Sequence, residues 1–260
     1  MGELWFIGAG LGDDRDLTVR GLEALRRCDR IFAEEYTAVL AKGSLDRLAQ
    51  AVGHPIERLE RDAVESGAAV LQALAGSSRV ALLVTGDPFV ATTHIALRVE
   101  VEAAGHPWRY VPNASVATAA AGLLGLQSYR FGRTVSLPFP APGFAPTSPL
   151  DGIRGNRAQR LHTLVLLDLR PSEGAFLTAN EALRLLGERD PEGTVLGPDA
   201  PVAAVARLGT ESARAVYGRR AEVERFDLGP PLHAVVVPAE PLHFEEEAAV
   251  RRWRVSSVPG

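Results

Sequence analysis

Short runs of consecutive apolar residues alternate along the chain with longer stretches in which apolar side chains recur every three or four positions. The short runs predict strands at Leu4 to Ile7, Arg30 to Glu34, Ile56 to Leu59, Val80 to Val84 and Trp108 to Val111. Val80 to Val84 is apolar throughout, the pattern of a strand buried on both faces of a parallel sheet. The longer stretches predict helices. One covers Leu17 to Arg27, with Leu22 and Leu25 inward and Asp16 or Thr18 as cap. Another covers Ser44 to Val52. A third starts at the capping-box-like Asp62-x-x-Glu65, turns Val64, Leu71 and Leu74 inward and ends at Gly76. A fourth runs from about Thr93 to Ala104. Strands and helices in this regular order predict right-handed βαβ units around a parallel sheet.

Asn113 and Ser115 open a helix of small residues that ends near Gln127. The rhythm then breaks. RFGRTVSLPFPAPGFAPTSP is dense in proline and glycine, and residues 128–150 read as a mostly irregular connection with a short strand at Thr134 to Leu137. The second half has its own apolar strands at Thr163 to Asp168, Val202 to Ala206 and Ala234 to Val237. Thr178-x-x-Glu181 is a full capping box opening a helix, and Phe244 to Trp253 predicts a last one. The fold class is therefore α/β, in two α/β domains, 1–112 and 113–260, the second including the proline-rich connection. The halves show no internal repeat.

At 260 residues the chain can hold one large domain or two of about 130 residues each. A net charge of −4 gives no sign of the basic face that nucleic-acid binding requires. No apolar run reaches the roughly 18 residues of a membrane span, and the first strand begins without a signal peptide ahead of it. The single cysteine, Cys28, cannot form an internal disulfide, so an intracellular, cytoplasmic chain is expected, with Cys28 as a small core residue.

The first strand stops at Gly8-Ala9-Gly10-Leu11-Gly12, the usual opening of a nucleotide site, where missing Cβ atoms let a ligand approach the backbone. Asp13, Asp14 and Asp16 crowd the end of this loop and the start of the next helix. Carboxylates there repel a pyrophosphate, so the loop suits a nucleoside that is neutral or positive, and the sulfonium S-adenosylmethionine fits. Glu34 and Glu35 lie where a ribose-binding carboxylate sits in dinucleotide sites, which keeps an NAD-dependent dehydrogenase open as an alternative. Further strand ends qualify as ligand loops: Gly86 to Val90, which is otherwise a tight turn; Asn113 to Val116, otherwise a helix cap; and the segments after Leu167 and Leu208. His54, His94, His106, His162, His233 and His243 are scattered without metal-ligand spacing. His94 and His162 read as structural, whereas the ring or backbone of His233 can reach a ligand. Signatures of serine hydrolases, P-loop proteins and kinases are missing.

FIGAGLGDDRDLTVRGLEALRRCDRIFAEEYT, VTGDPFVATTHIALR, NASVATAAAGLLGLQSYRFGRTVSLPF, HTLVLLDLR with TANEAL, and GPPLHAVVVP occur in this order. Together they resemble the diphthine synthase family in its archaeal form, within the tetrapyrrole-methylase superfamily, over nearly the whole chain. Ala9 stands where the family usually has Leu or Ile, and Val116 where isoleucine is common. The resemblance implies a mainly parallel N-terminal sheet, a mixed C-terminal sheet and S-adenosylmethionine in the cleft between the two domains. It implies up to three methyl transfers to the amino group of a 3-amino-3-carboxypropyl histidine of translation elongation factor 2, leaving S-adenosylhomocysteine. Carried over by motif position, the cofactor residues are Leu11, Asp87, Val90, Ser115, Val116, Leu167, Leu208 and His233. No catalytic base is assigned; Tyr36 and Tyr129 are candidates to orient or accept a proton. The family acts as a homodimer, without metal, nucleic acid or membrane. A corrin or porphyrin methylase and a non-catalytic S-adenosylmethionine sensor are the remaining alternatives.

Overall fold

Leu4 and Phe6 face one side of the first strand and Ile7 the other, and this alternation sorts the first unit into layers. The computed structural model describes residues 2–144 and 146–257; Met1, residues 258–260 and Ala145, inside the proline-rich connection, lie outside it. The chain divides into two compact units, 1–115 and 116–260. The first contains β1 (Glu3–Gly8), α1 (Val19–Leu25), β2 (Arg30–Glu34), α2 (Ser44–Val52), β3 (Ile56–Leu59), α3 (Arg61–Glu65), α4 (Ala68–Gly76), β4 (Arg79–Val84), α5 (His94–Ala103) and β5 (Trp108–Val111). Its strands lie in the order β3-β2-β4-β1-β5 and every pairing is parallel.

One face of this sheet buries Ile7, Ile31, Ala81 and Leu83 against Leu25 of α1 and Leu45, Leu48 and Val52 of α2. The other buries Phe6, Phe32, Leu82 and Val84 against Val64, Val70, Leu74, Leu97 and Val101 of α3 to α5. Each fully buried side chain of this kind contributes about 1.5–3 kcal/mol relative to exposure. Cys28 is buried on the α1 side, and burial pushes its thiol up to about 12, so it is an inert core residue. Thr18 caps α1 by accepting from Gly21 N–H. The single helix expected from Asp62 to Gly76 is two. Gly67 interrupts it with φ +65°, and the residue ahead of α3 is Glu60, which makes no side-chain cap, so Asp62-x-x-Glu65 is not a capping box.

The second unit contains α6 (Val116–Leu124), β6 (Val135–Leu137), α7 (Ser148–Ala158), β7 (Thr163–Leu167), the small hairpin β8 (Leu169–Arg170) and β9 (Ala175–Phe176), α8 (Ala179–Glu188), β10 (Pro201–Ala206), β11 (Arg214–Arg219), α9 (Arg220–Val223), β12 (His233–Val237) and α10 (Phe244–Val250). Its main sheet is mixed, in the order β11-β10-β12-β7-β6, with only β6 and β7 parallel. Thr178 and Glu181 form the expected capping box of α8. The proline-rich connection ends earlier than its composition suggests, because α7 starts at Ser148 with proline in its first turn. Gly152 weakens the helical pattern of α7 for a packing reason: a Cβ there would stand 2.4 Å from Val135 Cγ1, so glycine lets α7 lie on β6. The last helix stops at Val250 and continues as a 3-10 turn to Trp253.

Glu246, wholly buried, ties this unit together. Its carboxylate accepts from Gln127 N–H, His243 N–H, Arg130 and His162 Nε2. His162 Nδ1 accepts from Ala239 N–H, so the ring is neutral with its proton on Nε2, as expected of a structural histidine. Burial depresses the pKa of His162 and also that of His233, whereas burial works against Glu246 and its hydrogen bonds still hold it low. Both signs favour the native state at neutral pH. The histidine contribution is present above about pH 6.5 and is lost as pH falls, and the glutamate contribution is lost below the ordinary carboxylate range. Denaturant unfolding should therefore show stability declining as pH drops from 7 to 5, and substituting both histidines should flatten that decline. Glu246→Ala, which strands Arg130 and two main-chain N–H groups, should cost about 3–5 kcal/mol in the same measurement.

Candidate functional site

In the first unit the chain winds outward from β1 in both directions, with β4 on one side and β5 on the other, so three adjacent parallel strands end side by side. Such a point is where open α/β sheets bind ligands. The loops leaving it are tied to one another. Gly86 N–H donates to Gly10 O at 2.7 Å, Gly10 N–H to Gly86 O at 3.4 Å, and Ala9 N–H to Val84 O at 2.8 Å. Asn113 Nδ2 donates to Gly8 O at 2.9 Å and to Asp16 O at 3.1 Å. Asn113 thus clamps the β5 loop to the first loop.

The glycines serve these clamps. A Cβ on Gly8 would meet Asn113 Cβ at 2.6 Å and Gly86 O at 2.7 Å, and one on Gly10 would meet Asp16 Cβ at 2.4 Å. The close approach that the sequence suggested for a ligand is, at Gly8 and Gly10, an approach of the chain to itself. Gly86 differs. Its φ of +80° requires glycine, yet nothing stands closer than 3.9 Å to the place of a Cβ.

The acidic residues of the first loop are all engaged. Asp13 accepts from Arg15, and Asp14 pairs with Arg47 at 2.6 Å. Asp16 Oδ2 accepts from Leu11 N–H at 3.1 Å and Gly12 N–H at 2.7 Å. Glu34 is buried and accepts from the N–H groups of Tyr36 and Thr37 and from the Thr37 hydroxyl, while Glu35 pairs with Arg58 at 2.8 Å. The loop amides and the ribose-seeking carboxylate that a dinucleotide site needs are thus both turned inward, and the NAD-dependent alternative loses its two supports.

Asp87, 4% exposed, is more than part of a tight turn. Its Oδ1 accepts from Phe89 N–H at 3.0 Å, and its Oδ2 accepts from Tyr110 Oη at 2.6 Å and Asn113 N–H at 3.1 Å. Its carboxylate therefore joins the β4 loop to the end of β5 and keeps about one lone-pair site to spare. Burial, followed by donation to Asp87, pushes the Tyr110 hydroxyl up to about 12. Val90 stands exposed beyond this turn, and Ser115 is buried at the end of the β5 loop. His94 Nδ1 donates to Pro88 O at 2.9 Å, which leaves Nε2 to accept from Tyr36 Oη at 3.4 Å. Burial raises the Tyr36 pKa, so its phenol stays protonated near neutrality. Tyr129 is strongly exposed in the turn Ser128–Arg130 of the second unit.

Three of the four predicted residues of the second unit, Leu167, Leu208 and His233, lie toward one end of its sheet. Because β12 runs antiparallel to β7 and β10, its first residue, His233, lies beside the last residues of both, Leu167 and Ala206, with Leu208 just beyond. The His233 ring is already used. Nδ1 accepts from Ala179 N–H at 3.1 Å, capping α8, and Nε2 donates to Pro230 O at 3.1 Å. Of the two routes the sequence left open for His233, the main chain remains. Arg207 fixes the neighbouring loops by donating to Leu228 O, Pro230 O and Ser212 O. Leu208 and Val116, the first residue of α6, pack partly buried on that unit's core. A cavity of about 510 Å³ at the opposite end of the sheet, lined by Pro201, Tyr217, Arg219 and Val255, contains none of the predicted residues. Among the described residues no three His, Cys, Asp or Glu side chains cluster as metal ligands, and no helix is long and apolar enough to cross a membrane.

The residues missed by sequence reasoning are the ones that hold the loops: Tyr110, Arg207, and the side chains of Asn113 and Asp16 in their clamping roles. Only the periodicity of β5, which turns Tyr110 toward the Asp87 side, offered a signal.

The family described as Tetrapyrrole (Corrin/Porphyrin) Methylases matches residues 3–224. The diphthine synthase of Methanosphaera stadtmanae is 38% identical over 249 residues, covering 95% of this chain and 94% of the relative. That of Methanothermobacter thermautotrophicus is 39% identical over 246 residues, covering 94% and 92%. A crystal structure of a diphthine synthase superposes with a TM-score of 0.88 at 35% identity, covering 97% of this chain and 96% of the other. The chain belongs to the tetrapyrrole methylase family, in the branch of the diphthine synthases, and has the α/β fold of that family.

The Asp87 clamp has a direct optical test. Asp87→Asn removes the charge that opposes tyrosinate formation at Tyr110. Burial still acts on Tyr110 in the variant, so one of the four tyrosines should titrate lower than its wild-type value of about 12 in an alkaline absorbance titration, and an unchanged titration would reject the clamp.

Proposed function

We propose that this methyltransferase transfers methyl groups from S-adenosylmethionine to the amino nitrogen of a 3-amino-3-carboxypropyl histidine on translation elongation factor 2. Three transfers give the quaternary ammonium of diphthine, with S-adenosylhomocysteine released each time. The observation that carries this reading is the likeness to diphthine synthases, 38–39% identical along almost the entire chain. The first loop agrees with it. With Leu11 N–H and Gly12 N–H held by Asp16, the loop offers little to a phosphate, and the Asp16 carboxylate does not oppose a positive sulfonium.

The residues we assign to the cofactor are Leu11, Asp87, Val90 and Ser115 of the first unit and Val116, Leu167, Leu208 and His233 of the second. Leu11 has its carbonyl and side chain to give, its N–H being committed. Asp87 has one lone-pair site, and Val90, Leu167 and Leu208 offer apolar surface to an adenine or a methionine chain. No metal enters the reaction. When bound, S-adenosylmethionine supplies a methyl carbon already activated by its sulfonium. What remains for the protein is orientation of a neutral amine in line with that carbon, a task that needs no strong base once the amine is deprotonated. We read the enzyme as a cytoplasmic homodimer whose partner is the elongation factor itself.

Mass spectrometry of carboxypropylated elongation factor 2, after incubation with this protein and isotopically labelled cofactor, should show the modified histidine gaining up to three labelled methyl groups. An unlabelled histidine, or label appearing on a corrin or porphyrin precursor instead, would reject the assignment. In calorimetry, Asp87→Ala should weaken S-adenosylhomocysteine binding by roughly tenfold or more, since freeing Tyr110 and two main-chain N–H groups unpins the loop.

A further inference from the structure

We propose that Asp16 determines the cofactor class of the glycine loop, its carboxylate occupying from within the chain the amide pair that a phosphate-bearing nucleotide would need. The inference rests on the reading that this loop faces the cofactor. Successive main-chain N–H groups at a strand-to-helix turn form a concave anion site, and glycines make it accessible. Here the two N–H groups at the turn, Leu11 and Gly12, converge on a single oxygen, Asp16 Oδ2, at 3.1 and 2.7 Å.

Further features make this a built arrangement. Gly10, at φ +82°, leaves room for Asp16: a Cβ there would stand 2.4 Å from Asp16 Cβ. Asn113 Nδ2 holds the Asp16 carbonyl at 3.1 Å, so the residue is anchored on its main chain as well as its side chain. Asp13 and Asp14 each have an arginine partner, Arg15 and Arg47, while the contacts of Asp16 with the loop are to neutral amides. A phosphate arriving at the turn meets a negative charge at contact distance and amides already donating. A cationic or neutral nucleoside meets neither obstacle. The strand-loop-helix frame of a nucleotide site is thus kept while its anion preference is cancelled by one side chain.

Calorimetry on the full chain with ADP and S-adenosylhomocysteine as separate probes tests this in the wild type, Asp16→Ala and Asp16→Asn. Asp16→Ala empties the amide pair and should bind ADP at least about tenfold more tightly than the wild type. Asp16→Asn keeps an acceptor oxygen on the amides but removes the charge, and should show a smaller gain. Equal ADP affinity in all three proteins, or a wild type that binds ADP as tightly as S-adenosylhomocysteine, overturns the proposal. Should circular dichroism show Asp16→Ala unfolded, Asp16→Asn decides, and an ADP affinity unchanged from wild type overturns it equally. Failure of the wild type to bind S-adenosylhomocysteine would defeat the cofactor reading instead, and the ADP comparison would still judge Asp16.

Discussion

The first unit depends on three strand ends being fastened to one another by carboxylates and main-chain amides. Parallel strands bring their carboxyl ends to one side, but nothing in a parallel ladder fixes the loops that leave it. Here Gly10 and Gly86 exchange main-chain hydrogen bonds, Asp87 gathers Phe89, Tyr110 and Asn113, and Asn113 reaches back to Gly8 and Asp16. Some donors at these loop ends are satisfied within their own loop, as Leu11 and Gly12 are by Asp16, and others by a neighbouring loop, as Asn113 N–H is by Asp87. The result is a rim of loops bonded to one another, which suits a reaction relying on alignment.

The second unit reaches a similar end by different means. Its strands alternate in direction, so the start of β12 meets the ends of β7 and β10. Side chains do the fastening: the His233 ring links α8 to the Pro230 carbonyl, and Arg207 gathers three main-chain carbonyls. Deeper in, Glu246 joins the turn after α6 to the start of α10 through His162 and Arg130. Charge in this unit is placed where several donors converge on one acceptor, which limits the cost of burying it.

Much of this was legible in the sequence where one local rule decided the outcome. The continuous apolar run of β4 and the Thr178 capping box appear as their patterns require. Local rules failed where a distant contact overrode them. Gly152 and Gly155 speak against a helix, yet α7 forms, and at Gly152 the missing side chain lets it approach β6. Asp62-x-x-Glu65 imitates a cap, but the helix starts at Arg61 behind Glu60, and Gly67 divides it. The strand β11 was missed because Arg214 and Arg219 bracket a short alternating segment of modest hydrophobicity. For the site, spacing marked loops at strand ends and could not reveal what the groups there bind. That Asp16 fills the first turn, or that both His233 nitrogens are occupied, depends on residues far apart in number or on a fold back over the loop.

One feature of the second sheet bears on how this chain behaves in a crowded solution. β11 is one of the two edge strands, and an edge strand presents a row of amides and carbonyls to any other extended segment. The segment after α10 turns back along it: Tyr217 bridges to Arg254 in parallel fashion, and Val255 packs against the core beside it. The return of the chain thereby acts as a stopper on the exposed border, guarding it against edge-to-edge association with neighbouring molecules.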